Sequence, residues 1–249
     1  MYPLLSLSAL VQIACIVHAV RTRRAYWWIF ILMAGSFIGV TAYVIAELLP
    51  DLRHNRAARQ VLTHAHDRID PERRKRQASR QLDVADTLEN RKRLAQECFD
   101  SGDYQQAAEM YRSGLRGLYA TDPDLMLGLA RAQFALDLPA EARQTLDALI
   151  AANPDFRSPE GHLVYARCLE AVNDVPAALH EYAALADGYP GEEARVRYGQ
   201  LLRRAGRNAE AAEVFRTSIK RTGLAPKYYQ RQQKPRVETA KRELASLPA

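Results

Sequence analysis

Cysteine is scarce and scattered. Cys15, Cys98 and Cys168 stand far apart and no CxxC pair exists, which excludes a disulfide framework and a cysteine-built zinc site. The six histidines are dispersed, without an HExxH motif, and the chain has no GxSxG and no glycine-rich phosphate loop. No nucleophile–base pair or ligand set can be named, so the sequence offers no catalytic residue, no metal site and no cofactor site. Aromatic residues are only 8% of the chain. Strands draw on β-branched and aromatic residues, whereas this sequence is rich in Ala, Leu, Arg and Glu, so an all-α fold is expected. With 48% hydrophobic and 26% charged residues, wholesale disorder is excluded.

Negative charge is thin in the first third. The formal net charge of +6 is carried by residues 1–80, while residues 81–249 sum to −1. Arg53, Arg56, Arg59, Arg68, Arg73, Arg74, Lys75, Arg76 and Arg80 make residues 51–87 a basic linker, read as helix with a break near Asp70-Pro71. No aromatic is interleaved for base stacking, which argues against nucleic acid. A basic surface facing solvent or anionic lipid headgroups is the expectation.

Ahead of it lies a 22-residue run, Ala25 to Ala46, without a charged side chain. A helix of that length spans about 33 Å, enough for a bilayer core. Tyr26, Trp27 and Trp28 begin it beside Arg23 and Arg24, as interface anchors do. Residues 3–20 form a weaker apolar segment containing Ser6, Ser8, Gln12 and His18. No Lys or Arg precedes it and three Arg follow, which argues against a cleaved signal peptide. The expectation is a transmembrane hairpin, residues 3–20 and 25–49, inserted through residues 1–50 in the lipid of a bacterial inner (cytoplasmic) membrane. Four Arg after the second segment against three in the turn place the rest of the chain on the cytoplasmic side. Gly35 and Gly39 share a helix face, for packing against the first helix or for a homodimer. This stretch resembles the N-terminal hairpin of phospholipase D-type cardiolipin synthases. Their HxK signature is absent, so the resemblance implies an anchor rather than lipid chemistry.

The rest is periodic. Gly102-Asp103-Tyr104-Gln105-Gln106-Ala107 aligns with stretches beginning at Asp137, Asn173 and Gly206. Each ends on Ala: 107, 142, 178 and 211. Four residues later come Tyr111, Leu146, Tyr182 and Phe215. Thirteen residues before each Ala stand Leu94, Leu129, Tyr165 and Tyr198, each followed by a small residue: Ala95, Ala130, Ala166 and Gly199. The pattern resembles the tetratricopeptide repeat, whose period is about 34 residues. The resemblance implies four helix-turn-helix repeats over 88–222 in an α-solenoid, with the small residues where paired helices press together. Residues 223–249 supply a C-terminal capping helix, which Pro235 starts or kinks.

In such arrays the first helix of each repeat lines a concave groove. Carried over by position, the groove residues are Lys92, Gln96 and Phe99, then Leu127, Arg131 and Phe134, then Leu163, Arg167 and Glu170, then Val196, Gln200 and Arg203. Lys92, Arg131, Arg167 and Arg203 form a basic row suited to an acidic or C-terminal peptide of a protein partner. The resulting expectation is a membrane-anchored scaffold without catalysis. The alternative is an accessory factor of phospholipid metabolism or envelope assembly, engaging anionic lipid or a lipid enzyme through the hairpin and basic linker.

Overall fold

The computed structural model describes residues 2–21, 27–34, 36–48, 70 and 72–247. They form thirteen α-helices in two compact units, Met1–Arg73 and Arg74–Ala249.

In the first unit α1 spans Tyr2–Arg21, α2 Trp27–Ala34 and α3 Ser36–Tyr43, the last running into a π-helical turn, Val44–Leu48. Cys15, Ala19, Trp28, Leu32 and Tyr43 form its core. His18 Nδ1 is 2.9 Å from the Tyr43 hydroxyl, and Trp28 Nε1 donates to Glu47 Oε1 at 3.1 Å.

The expected membrane hairpin is corrected here. Among the described residues no helix is long and apolar enough to cross a membrane. The uncharged run is not one helix but two of eight residues each, about 12 Å apiece. A Cβ on Gly39 would lie 2.5 Å from the Ile31 carbonyl oxygen, whereas in one continuous helix these residues would stand about 12 Å apart along the axis. The chain therefore folds sharply between α2 and α3 and the hairpin loses its second span. The inner-membrane location and the cytoplasmic placement deduced from it fall with that span. Gly39 uses its bare face against its own chain, which removes the argument for a dimer there, and Gly35 lies outside the described residues. So does the linker over 51–69. Its later part is helix α4, Arg73–Val84, whose Ala78 is buried against the first repeat. Lys75 there pairs with Asp103 at 2.6 Å instead of facing lipid.

The second unit continues with helices in pairs. They are α5 (Leu88–Asp100) and α6 (Tyr104–Gly114), α7 (Pro123–Ala135) and α8 (Pro139–Ala152), α9 (Pro159–Ala171) and α10 (Val175–Gly188), and α11 (Glu193–Arg204) and α12 (Asn208–Leu224). Helix α13, Lys227–Ala245, follows. It begins after Pro226 and carries Pro235 inside it, so Pro235 does not start it.

Local chemistry sets these boundaries. Thr87, Asp103, Asp122, Ser158 and Asp174 each accept a hydrogen bond from the backbone N–H three residues on, closing an N-terminus. Within each pair the first helix ends on a left-handed residue: Gly102, Asp137, Asn173 and Gly206, with φ of 85°, 61°, 61° and 77°. The next N–H donates to the carbonyl five residues back at 2.9–3.0 Å, as Asp103 does to Cys98 and Leu138 to Gln133. This Schellman geometry turns the chain for the second helix.

Packing follows the repeat phase. Ala95, Ala130, Ala166, Ala107, Ala142, Ala178 and Ala211 are fully buried, as are Tyr182 and Phe215. At Gly199 a Cβ would stand 2.6 Å from the Phe215 ring. The small residue of one helix admits the large residue of the next.

The last pair is tied to α13 by a buried carboxylate. Glu192 is fully buried and accepts hydrogen bonds from Arg195 (2.8 Å), Ser218 (2.8 Å) and Tyr229 (3.0 Å). Its backbone N–H donates to Gln233 Oε1 at 3.1 Å.

Candidate binding groove

The first helices α5, α7, α9 and α11 expose one face, and a pocket of about 490 Å³ opens on it. Phe99, Arg131, Phe134, Leu163 and Arg167 line it together, with Leu163 buried as its floor. The Arg131 guanidinium lies 4.5 Å from the centroid of the Phe99 ring, and Arg167 lies 4.5 Å from that of Phe134. Each arginine thus rests on the phenylalanine of the preceding repeat, a contact that fixes the guanidinium plane. Glu170 stands where a third phenylalanine would continue the ladder. It pairs instead with Arg204 and accepts the Tyr182 hydroxyl at 2.6 Å.

The cations of this face differ in their partners. Lys92 bridges Asp122 (3.1 Å) and Asp124 (3.2 Å) at the start of α7. Arg131 Nε meets Glu160 at 3.0 Å. Arg203 is held by Glu243 of α13, which also accepts from Gln200 at 2.9 Å. These bonds, Gln200's foremost, hold the Glu243 carboxyl below the ordinary glutamate range. Gln200, Arg203, Arg204 and Glu243 border a separate pocket of about 450 Å³. Arg167 stands apart: its Nε is buried without a hydrogen-bond partner. Burial, reinforced by the neighbouring Arg197 charge, pulls its pKa below the usual arginine value.

The remaining groove positions lie elsewhere. Gln96 accepts from the Tyr111 hydroxyl at 3.2 Å and donates to Asp100 at 2.8 Å. Val196 is buried in the core of the last repeat. Leu127 borders an apolar pocket of about 410 Å³, shared with Leu146, Ile150, Phe156 and Leu185. Six residues that the repeat phase did not single out border the main pocket: Tyr104, Ala135, Glu160, Val164, Tyr189 and Glu193. Tyr104 opens α6 and Glu160 opens α9, while Tyr189 follows α10. Phase counting along first helices passes over such positions. Tyr104 lies within the aligned Gly-Asp-Tyr stretch, which was the available signal.

Among the described residues no group of three or more His, Cys, Asp or Glu is placed to hold a metal ion. Cys98 and Cys168 are fully buried, and burial pushes the Cys168 thiol up to about 12, far from a reactive thiolate.

Two models described as tetratricopeptide repeat match residues 99–168 and 164–227. No curated protein matches the chain, and neither this nor the fold supports the likeness to cardiolipin synthases. Similar solved structures include TTC0263, a thermophilic TPR protein of Thermus thermophilus. It is 19% identical, with a TM-score of 0.54, over 72% of this chain and 94% of that one. Another is YrrB, described as a TPR protein with an unusual peptide-binding site. It is 18% identical, with a TM-score of 0.50, over 70% of this chain and 91% of that one. At these identities the likeness is one of fold. Paired helices in constant phase, small residues at each helix crossing and the two matching models agree, and residues 99–227 of this chain belong to the tetratricopeptide repeat family.

Proposed function

We propose that this chain is a protein-interaction scaffold without catalysis of its own, and that it holds a peptide segment of its partner on the face formed by α5, α7, α9 and α11. One observation carries the reading. Phe99, Arg131, Phe134, Leu163 and Arg167, drawn from three successive repeats, converge on a single pocket that combines apolar floor, aromatic wall and guanidinium. Charged side chains of both signs stand beside this aromatic and aliphatic lining, a mixture able to meet both the polar and the apolar groups of a peptide. A neighbour of the same fold described as peptide-binding fits this reading.

Site-specific photocrosslinking tests it. A benzoylphenylalanine at Phe134 should capture a discrete partner in cells, whereas one at the exposed Arg216 of α12 should not. Equal capture from both positions, or capture from Arg216 alone, moves the interface away from this face.

A further inference from the structure

We infer that the apolar pocket between α8, α9 and α10 is a ligand site in its own right, and that it takes one small uncharged molecule built mainly of aromatic or alkyl carbon. It shares no lining residue with the main pocket of the peptide-binding face, and the inference does not depend on that reading. The pocket measures about 410 Å³, within the range of about 300–1,000 Å³ usual for small-molecule sites. Leu127, Leu146, Leu149, Phe156 and Leu185 form its walls. Water held against such a lining finds few hydrogen-bond partners, so an apolar occupant displaces it favourably.

The neighbouring repeats show why the space is open here. Pro159, His162, Leu185 and Gly188 correspond to Glu192, Arg195, Ser218 and Arg221, each 33 residues further on, in phase with Ala178 and Ala211. In the fourth repeat these side chains fill the place themselves. Arg195 (2.8 Å), Ser218 (2.8 Å) and Arg221 (3.7 Å) gather on the buried Glu192 carboxylate. In the second repeat Met126, 36 residues before His162, takes the same position and is buried. In the third repeat His162 instead reaches Glu181 of α10 at 2.6 Å, and Gly188 contributes no side chain. A Cβ on Gly188 would meet no atom within 4 Å. The third repeat has thus exchanged the polar filling for an apolar lining and left the space open. That exchange also sets the character of the ligand. At the rim His162 and Glu181 satisfy each other, and the exposed Arg157 donates to the carbonyls of Pro154 and Phe156. A charged group carried inside would lose its water without gaining a partner.

The test titrates the uncharged dye N-phenylnaphthylamine, which fluoresces in apolar surroundings, into the full chain. Gly188→Leu places a side chain in the open space and should weaken binding about tenfold or more, the effect of denying the dye contacts worth two methylenes. Ala184→Leu, one turn earlier on α10 and also at the pocket, should act likewise, and it decides the matter should circular dichroism show Gly188→Leu to be unfolded. Anilinonaphthalene sulfonate, the same ring framework with a charge added, should bind this site more weakly than the uncharged dye. Phe134→Ala in the peptide-binding face and Phe30→Ala in the first unit should leave the dye bound as before. Undiminished binding in the folded α10 variants would overturn the inference. So would binding that falls in Phe30→Ala or Phe134→Ala instead, or a sulfonate held as tightly as the uncharged dye.

Discussion

The two units handle hydrophobicity in opposite ways. In the first, Ile13, Val17 and Val20 recur along one face of α1, and Trp27, Phe30 and Met33 along α2, yet all six are exposed. In the second, Leu94, Tyr111, Leu129, Leu146, Tyr182 and Phe215 fall at repeat positions and all are buried. Apolar content is high in both. What separates them is placement: a side chain contributes to a core only when its spacing brings it against a complementary surface, and in the repeats each large residue meets a small one held in phase.

The comparison is sharpened most by paired truncations. Phe215→Ala removes a fully buried ring and should cost about 3–5 kcal/mol, whereas Phe30→Ala, on a side chain 67% exposed, should stay within about 0.5 kcal/mol. Chemical denaturation of both variants measures the contrast, and equal losses would mean that Phe30 is covered in solution. Gly199→Val tests the other half of the pairing. Its added carbons enter space filled by the Phe215 ring, for an expected loss of about 1–3 kcal/mol, and a neutral melting curve would show the helix crossing to be loose. Arg167→Met should change the stability of the second unit by no more than about 1 kcal/mol in either direction, because it removes a half-buried cation whose Nε has no hydrogen-bond partner among the described residues but also removes its contact with the Phe134 ring. A clear loss of melting temperature would mean that Arg167 is structural. The smallest effect concerns pH. The Glu243 carboxyl is held below the ordinary value, so its contribution is present above the unfolded glutamate pKa of about 4.3 and is lost as pH falls through its lower folded value. Acid unfolding of Glu243→Gln should lack that increment, and superimposable acid profiles would show the contact to be without weight.

The repeat body was legible because its packing needs particular residue sizes at fixed intervals, and Ala107, Ala142, Ala178 and Ala211 record that need directly. The left-handed turns were less open to reading. Gly102 and Gly206 advertise them, but Asp137 and Asn173 adopt the same geometry without glycine. In the first unit an uncharged run reports composition and is silent on continuity. Nothing in Trp27 to Tyr43 announces that the chain folds back so that Gly39 meets Ile31. In the groove, phase brought Phe99, Arg131, Phe134, Leu163 and Arg167 to one pocket. It could not show that Lys92, Arg131 and Arg203 are already neutralised, since Asp122, Glu160 and Glu243 come from the starts of later helices or from α13.

The buried Glu192 governs how the array comes apart. Its carboxylate draws donors from α11, α12 and α13 at once, so loss of α13 removes the Tyr229 hydrogen bond and uncovers an ion pair that is otherwise buried. Repeat solenoids otherwise fray from their ends one unit at a time. Here the terminal helix shares that carboxylate with the fourth repeat, and its melting should be coupled to that of the repeat. Backbone amides of α11 to α13 should therefore exchange with solvent in a single opening event. The far end of this face is in effect a fixed wall.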